Sequence, residues 1–126
     1  MTILDSSSWV EFLQDTALAD QYADAIAKPD ALRVPAVILS EVYRFVLRED
    51  GEALAIQAAG LLCRSPVIDL DAGLAIRAAT LGHAHGLPLA DSIIYATALS
   101  LDAELWTQDA DFKGLPHVKY FPKSNG

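Results

Sequence analysis

Short apolar runs alternate along this chain with longer stretches of helical period. Thr2-Ile3-Leu4 leads into Asp5 as a short strand, and Ser8-Trp9-Val10-Glu11 reads as a capping box opening a helix to about Leu13. A second helix is predicted over Leu18 to Ala27, ending before Pro29. Leu32-Arg33-Val34 reads as a strand, and Pro35 suits the first turn of a helix from Ala36 to about Arg48. Glu52 to Leu62 is alanine-rich and helical, Val67 to Leu70 is a strand, and Ala72 to Ala84 is a helix closed by Gly86. Beyond Pro88, Asp91 to Leu101 is nearly free of charge, the mark of a helix buried on most sides. Ala103 to Trp106 is the next strand, Asp109 to Phe112 a turn or single helical turn, and Val118 to Tyr120 a final edge strand.

Short strands separated by helices predict an α/β domain built on a small, mainly parallel central sheet of about five short strands flanked by helices. Functional groups in such folds gather outside the carboxyl ends of the strands. Asp5 and Asp109 fall there, Asp91 reaches the same edge from a helix start, and Glu41 joins them if its helix packs across the sheet's end.

At 126 residues with 52% hydrophobic content, one domain over residues 1–126 is expected, with a loose tail from Lys123. No linker, low-complexity stretch or fixed-period repeat interrupts it. The opening lacks a basic region followed by an apolar core, and no apolar run is long enough for a bilayer, so a cytoplasmic protein is expected. Cys63, the single cysteine, is expected in the core. The net charge of −8 argues against a generic polyanion binder, although acids that hold cations stop counting as negative once occupied.

Chemistry enters with four acids set in apolar sequence: Asp5, Glu41, Asp91 and Asp109. Carboxylates in such surroundings lose hydration and need a positive partner. Converging about 6 Å apart, each pair would repel by roughly 3 kcal/mol at an effective dielectric near 20. One or two divalent cations relieve that repulsion, and oxygen-only ligation favours Mg²⁺ or Mn²⁺.

Each acid also has a plainer explanation. Asp5 and Asp91 suit helix caps, although the serines after Asp5 make it redundant as one. Asp109 and Asp111 suit turns, and Glu41 pairs by spacing with Arg44. Arg44 and Arg48 share Glu41's helical face, so they reach a phosphate beside the acids, steady Glu41, or simply form a solvated face. His83, His85 and His117 read as structural or surface residues, and Trp9, Phe12, Tyr43 and Phe45 as core or partner contacts.

Leu4-Asp5-Ser6-Ser7, Leu39-Ser40-Glu41-Val42, Leu89-Ala90-Asp91-Ser92-Ile93-Ile94 and Leu105-Trp106-Thr107-Gln108-Asp109-Ala110-Asp111-Phe112 follow one another in an order that resembles PIN-domain ribonucleases, specifically the toxins of VapBC-type toxin-antitoxin pairs. The resemblance covers nearly the whole chain. It implies a catalytic and metal-holding quartet of Asp5, Glu41, Asp91 and Asp109, with Asp111 a further candidate ligand ranked below Asp109. Ser7 and Thr107 would orient ligands, and Arg44 and Arg48 would contact RNA or antitoxin. It further implies Mg²⁺ or Mn²⁺, one or two ions, and RNA cleavage leaving a 3′-hydroxyl and a 5′-phosphate. A cognate VapB-type antitoxin would cover the site in a prokaryotic cytoplasm, with a homodimer or toxin-antitoxin hetero-oligomer as the assembly. Two other readings compete: a PIN-like scaffold that binds RNA or protein without cutting, and a receiver-type signalling module. The second fits poorly, because Asp5 stands alone after the first strand.

Overall fold

A computed structural model describes residues 1–123; the tail expected from Lys123 onward otherwise lies outside the described residues. Five strands run in the order expected, β1 (Thr2–Leu4), β2 (Val34–Pro35), β3 (Val67–Ile68), β4 (Glu104–Thr107) and β5 (Val118–Tyr120). Among the described residues six α-helices connect them: α1 (Ser6–Leu13), α2 (Ala19–Ile26), α3 (Ala36–Asp50), α4 (Glu52–Leu62), α5 (Ala72–His85) and α6 (Leu89–Ser100).

β4 pairs in parallel with β1 on one side and β5 on the other, while β2 pairs in parallel with β3. A parallel bridge between Thr2 and Leu32, with Arg33 N–H donating to the Thr2 carbonyl at 2.9 Å, joins the two parts. The resulting order is β3-β2-β1-β4-β5, all parallel, so every strand presents its carboxyl end to the same edge. β1 and β4 hold the centre: Ile3 lies opposite Leu105, and both are fully buried.

Helices cover both faces because a parallel sheet must be buried on each side. Trp9 of α1, Tyr22 of α2, Ile38 of α3, Leu62 of α4 and Tyr95 of α6 all enter the core. The charge-poor α6 is buried along most of its length, at Ser92 and from Ile94 to Ala98, as its sequence predicts. α5 lies so close to it that a Cβ at Gly82 would stand 2.9 Å from Ser92 Cβ. Gly86 ends α5 in the left-handed region, at φ 67°. Among the described residues no helix is long and apolar enough to cross a membrane.

Two expectations fail. Helix α1 begins at Ser6, two residues before the proposed capping box, and its cap is Asp5, which accepts from Ser8 N–H. Glu11 instead accepts from Leu18 N–H at 3.0 Å, bracing the turn into α2. Cys63 is exposed, because it caps α4 one residue beyond the buried Leu62.

Candidate metal centre

Asp5 anchors the site where β1 gives way to α1. Its Oδ1 accepts from Ser7 Oγ at 2.7 Å, Ser8 N at 2.9 Å and Ser8 Oγ at 2.8 Å. Its Oδ2 accepts from the fully buried Thr107 hydroxyl at the end of β4. Thr107 Oγ1 in turn accepts from Asp109 N–H at 2.9 Å, so one hydroxyl ties the ends of the two central strands together. Burial raises the Asp5 pKa, and the hydrogen bonds from Thr107, Ser7 and Ser8 oppose that rise. Asp5 is therefore a well-held carboxylate with little freedom to move.

Asp91 sits in the first turn of α6 without capping it; that helix is preceded by Pro88. One carboxylate oxygen each from Asp91, Asp109 and Asp111 lies within 4.8 Å of the others. At that separation two full charges repel by about 3 kcal/mol at an effective dielectric near 20. The Asp91 pKa rises from 3.8 to about 7 through burial first, then the charge and hydrogen bonding of Asp109, then the charges of Asp111 and Asp5. Asp109 caps a short 3₁₀ turn and accepts from Asp111 N–H at 2.9 Å, which turns Asp111 toward the same point.

Glu41 stands apart from this triad. It projects from the middle of α3, and its pKa is raised by burial, lowered by the Ser6 hydroxyl and raised again by the charge of Asp5. Its Oε1 is buried without a hydrogen-bond partner. No ion pair joins it to Arg44; among the described residues Arg48 pairs with Glu49 at 3.0 Å instead. The structure thus places Asp91, Asp109 and Asp111 in one cluster, with Asp5 the charge that links it electrostatically to Glu41. All three histidines are exposed.

An oxygen-only donor set, an acid whose pKa burial and its neighbouring carboxylates raise to about 7 and a buried carboxylate oxygen without a partner together fit a hard divalent cation such as Mg²⁺ or Mn²⁺. Sequence reasoning did not assign Ser8 to Asp5. The run of three hydroxyls after that acid is the signal that could have found it.

The family model of the PIN domain matches residues 2–118. This chain belongs to the PIN-domain family. Membership sets aside the receiver-type arrangement. A solved toxin-antitoxin complex from Klebsiella pneumoniae resembles this PIN domain with a TM-score of 0.83 at 24% identity, over 98% of this chain and 100% of that one. VapC20 from Mycobacterium tuberculosis, a sarcin-ricin loop cleaving toxin, gives 0.80 at 20% identity over 97% and 100%. VapBC2 from Rickettsia felis, bound to a DNA fragment from its promoter, gives 0.72 at 19% over 96% and 97%. At these identities the solved structures speak for the fold. None of the curated proteins compared matches the chain in sequence.

Proposed function

We propose that this PIN domain is a metal-dependent endoribonuclease and the toxin of a type II toxin-antitoxin pair. The observation that carries the reading is the convergence of Asp91, Asp109 and Asp111 at the carboxyl edge of the sheet, with Asp91 raised to about 7. Asp5, Glu41, Asp91 and Asp109 are the catalytic residues of this reading and would hold one or two Mg²⁺ or Mn²⁺ ions together with Asp111. Such an ion supplies Lewis acidity toward the phosphate and a source of hydroxide near neutral pH.

The chain's own residues do the positioning. Thr107 and Ser7 hold the two oxygens of Asp5 in fixed directions. Arg44 and Arg48 line a cavity of about 560 Å³ together with Glu41 and Ser7, where they suit a phosphate lying beside the acids. Cleavage leaves a 3′-hydroxyl and a 5′-phosphate.

The partner is a VapB-type antitoxin, a reading supported by solved relatives that are toxin-antitoxin complexes, among them a VapBC from Salmonella typhimurium bound to DNA. A cavity of about 250 Å³, lined by Leu13 of α1, Val46 of α3 and Leu54, Ala58 and Leu61 of α4, with Asp50 and Gln57 also in its wall, suits such a partner's apolar side chains. A basic side chain reaching on to the acids would neutralise them. The assembly is a homodimer or a toxin-antitoxin hetero-oligomer in a prokaryotic cytoplasm.

Cleavage of a labelled oligoribonucleotide pool by Asp5→Asn, Glu41→Gln, Asp91→Asn, Asp109→Asn and Asp111→Asn tests the assignment. The first four are expected to lose at least a hundredfold in rate and Asp111→Asn less. Full activity in Asp5→Asn would remove it from the machinery.

A further inference from the structure

Asp5 is held by a serine whose hydroxyl has two acceptors and one proton. Ser8 is fully buried, and its Oγ lies 2.8 Å from Asp5 Oδ1 and 3.2 Å from the Trp106 carbonyl. That carbonyl already accepts from Asp5 N–H at 3.1 Å. Which acceptor the serine serves depends on the donor that its own oxygen receives.

The donor in place comes from α2. Tyr22 is fully buried, its ring meets Phe121 edge-on with centroids 5.2 Å apart, and its hydroxyl faces Ser8 and Gln108. Gln108, itself buried, also faces the Glu11 carboxylate. The Tyr22 oxygen and Gln108 Nε2 stop short of full hydrogen-bond geometry. Buried polar groups seldom stay unpaired, and the neighbours each of these faces are the ones that complete it.

The chemistry of these groups sets a direction. Glu11 stands at the turn between α1 and α2, where it accepts from Leu18 N–H at 3.0 Å. Hydrogen bonding with Thr16 first, then with Leu18 and Gln108, holds its pKa down against burial. A carboxylate cannot donate, so Gln108 must offer it an amide N–H. The second N–H of the same amide is left for the Tyr22 oxygen. Burial raises the Tyr22 pKa, so the phenol keeps its proton and offers it to Ser8, and Ser8 donates to Asp5. Every group after Glu11 thus donates toward Asp5. Asp5 Oδ1 then receives three donors, from Ser7 Oγ, Ser8 N and Ser8 Oγ, whereas Oδ2 receives Thr107 alone.

We infer that Tyr22 and Gln108 are positioning residues: acting through Ser8, they saturate Asp5 Oδ1 and leave Oδ2 as the oxygen with a lone pair to offer a cation. The inference rests on the metal-dependent reading above, and one arm of its test stands without it.

Tyr22→Phe keeps the ring on Phe121 and removes only the hydroxyl, while Gln108→Met keeps the side chain's length and removes its amide. Both are made in the full chain, singly and together. Neither is expected to lower the melting temperature, because neither group makes a full hydrogen bond to lose. In a crystal structure of metal-free Tyr22→Phe, Ser8 Oγ is expected to turn from Asp5 Oδ1 to the Trp106 carbonyl. Mn²⁺ affinity by calorimetry is expected to fall about tenfold in each single variant and no further in the double, because both act through one chain of groups. For RNA cleavage kcat should fall with KM unchanged. A Ser8 hydroxyl that keeps its place on Asp5 in Tyr22→Phe, with Mn²⁺ affinity equal to the parent's, overturns the inference. Losses that multiply in the double variant overturn it as well. If the parent itself binds no Mn²⁺, the metal-dependent reading falls, and the place of Ser8 in Tyr22→Phe alone decides whether Tyr22 positions Asp5.

Discussion

Replacing Asp91 by Asn should make the metal-free protein more stable at alkaline pH. Its pKa is raised from 3.8 to about 7 by burial and by Asp109, Asp111 and Asp5. Between those values the folded chain holds a proton that the unfolded chain has released, so stability falls as pH rises through that window and stays reduced above it. A shift of about 3 units corresponds to at most about 4 kcal/mol. Asp91 is only partly buried, and solvent screening reduces the figure to about 1–2 kcal/mol. For a chain of this length that is about 5 °C in melting temperature. The assay is thermal unfolding of wild type and Asp91→Asn in EDTA from pH 4 to pH 9. The two curves should coincide near pH 4 and separate toward pH 8 with the variant higher. Saturating Mn²⁺ should raise the wild type at pH 8 and close much of the gap, because an ion bound only to the folded state stabilises it. Parallel curves across the whole range would refute the like-charge cluster.

Thr107→Val deletes the hydroxyl that donates to Asp5 and accepts from Asp109 N–H, and should cost about 1–3 kcal/mol in a urea melt while abolishing RNA cleavage. Gly82→Ala drives a methyl to 2.9 Å from Ser92 Cβ, pushing α6 and the adjacent Asp91 outward; a loss of about 1–3 kcal/mol with reduced Mn²⁺ affinity by calorimetry is expected. Cys63→Ser changes an exposed side chain and should leave the melting midpoint within about 0.5 kcal/mol of wild type.

The elements were largely legible because their apolar periods are clean. Pro35, Pro88 and Gly86 mark boundaries that the structure respects to within one or two residues. Strand order was not legible: β2 and β3 are two residues long, and so short a run carries no register. Around the site, Leu4-Asp5 and Thr107-Gln108-Asp109 announced themselves as acids just past central strands. Capping of α1 by Asp5 was weighed and set below the serines that follow, whereas Asp5 is the cap and Ser7 and Ser8 serve as donors to it. The single helical turn after Asp109 was expected, but the closeness of Asp111 to Asp91 was not, because it depends on how that turn and the start of α6 meet in space. Cys63 was misplaced because a residue-type preference for burial says nothing about which side of a helix end a side chain leaves from.

End-labelled total RNA, incubated with the antitoxin-free protein in Mg²⁺ or Mn²⁺ and in parallel with EDTA, tests the central claim most directly. Discrete cuts that appear with the ion, vanish with the chelator and are absent from Asp91→Asn are the predicted result. Intact RNA under every divalent ion, or the same cuts from Asp91→Asn as from wild type, would contradict it.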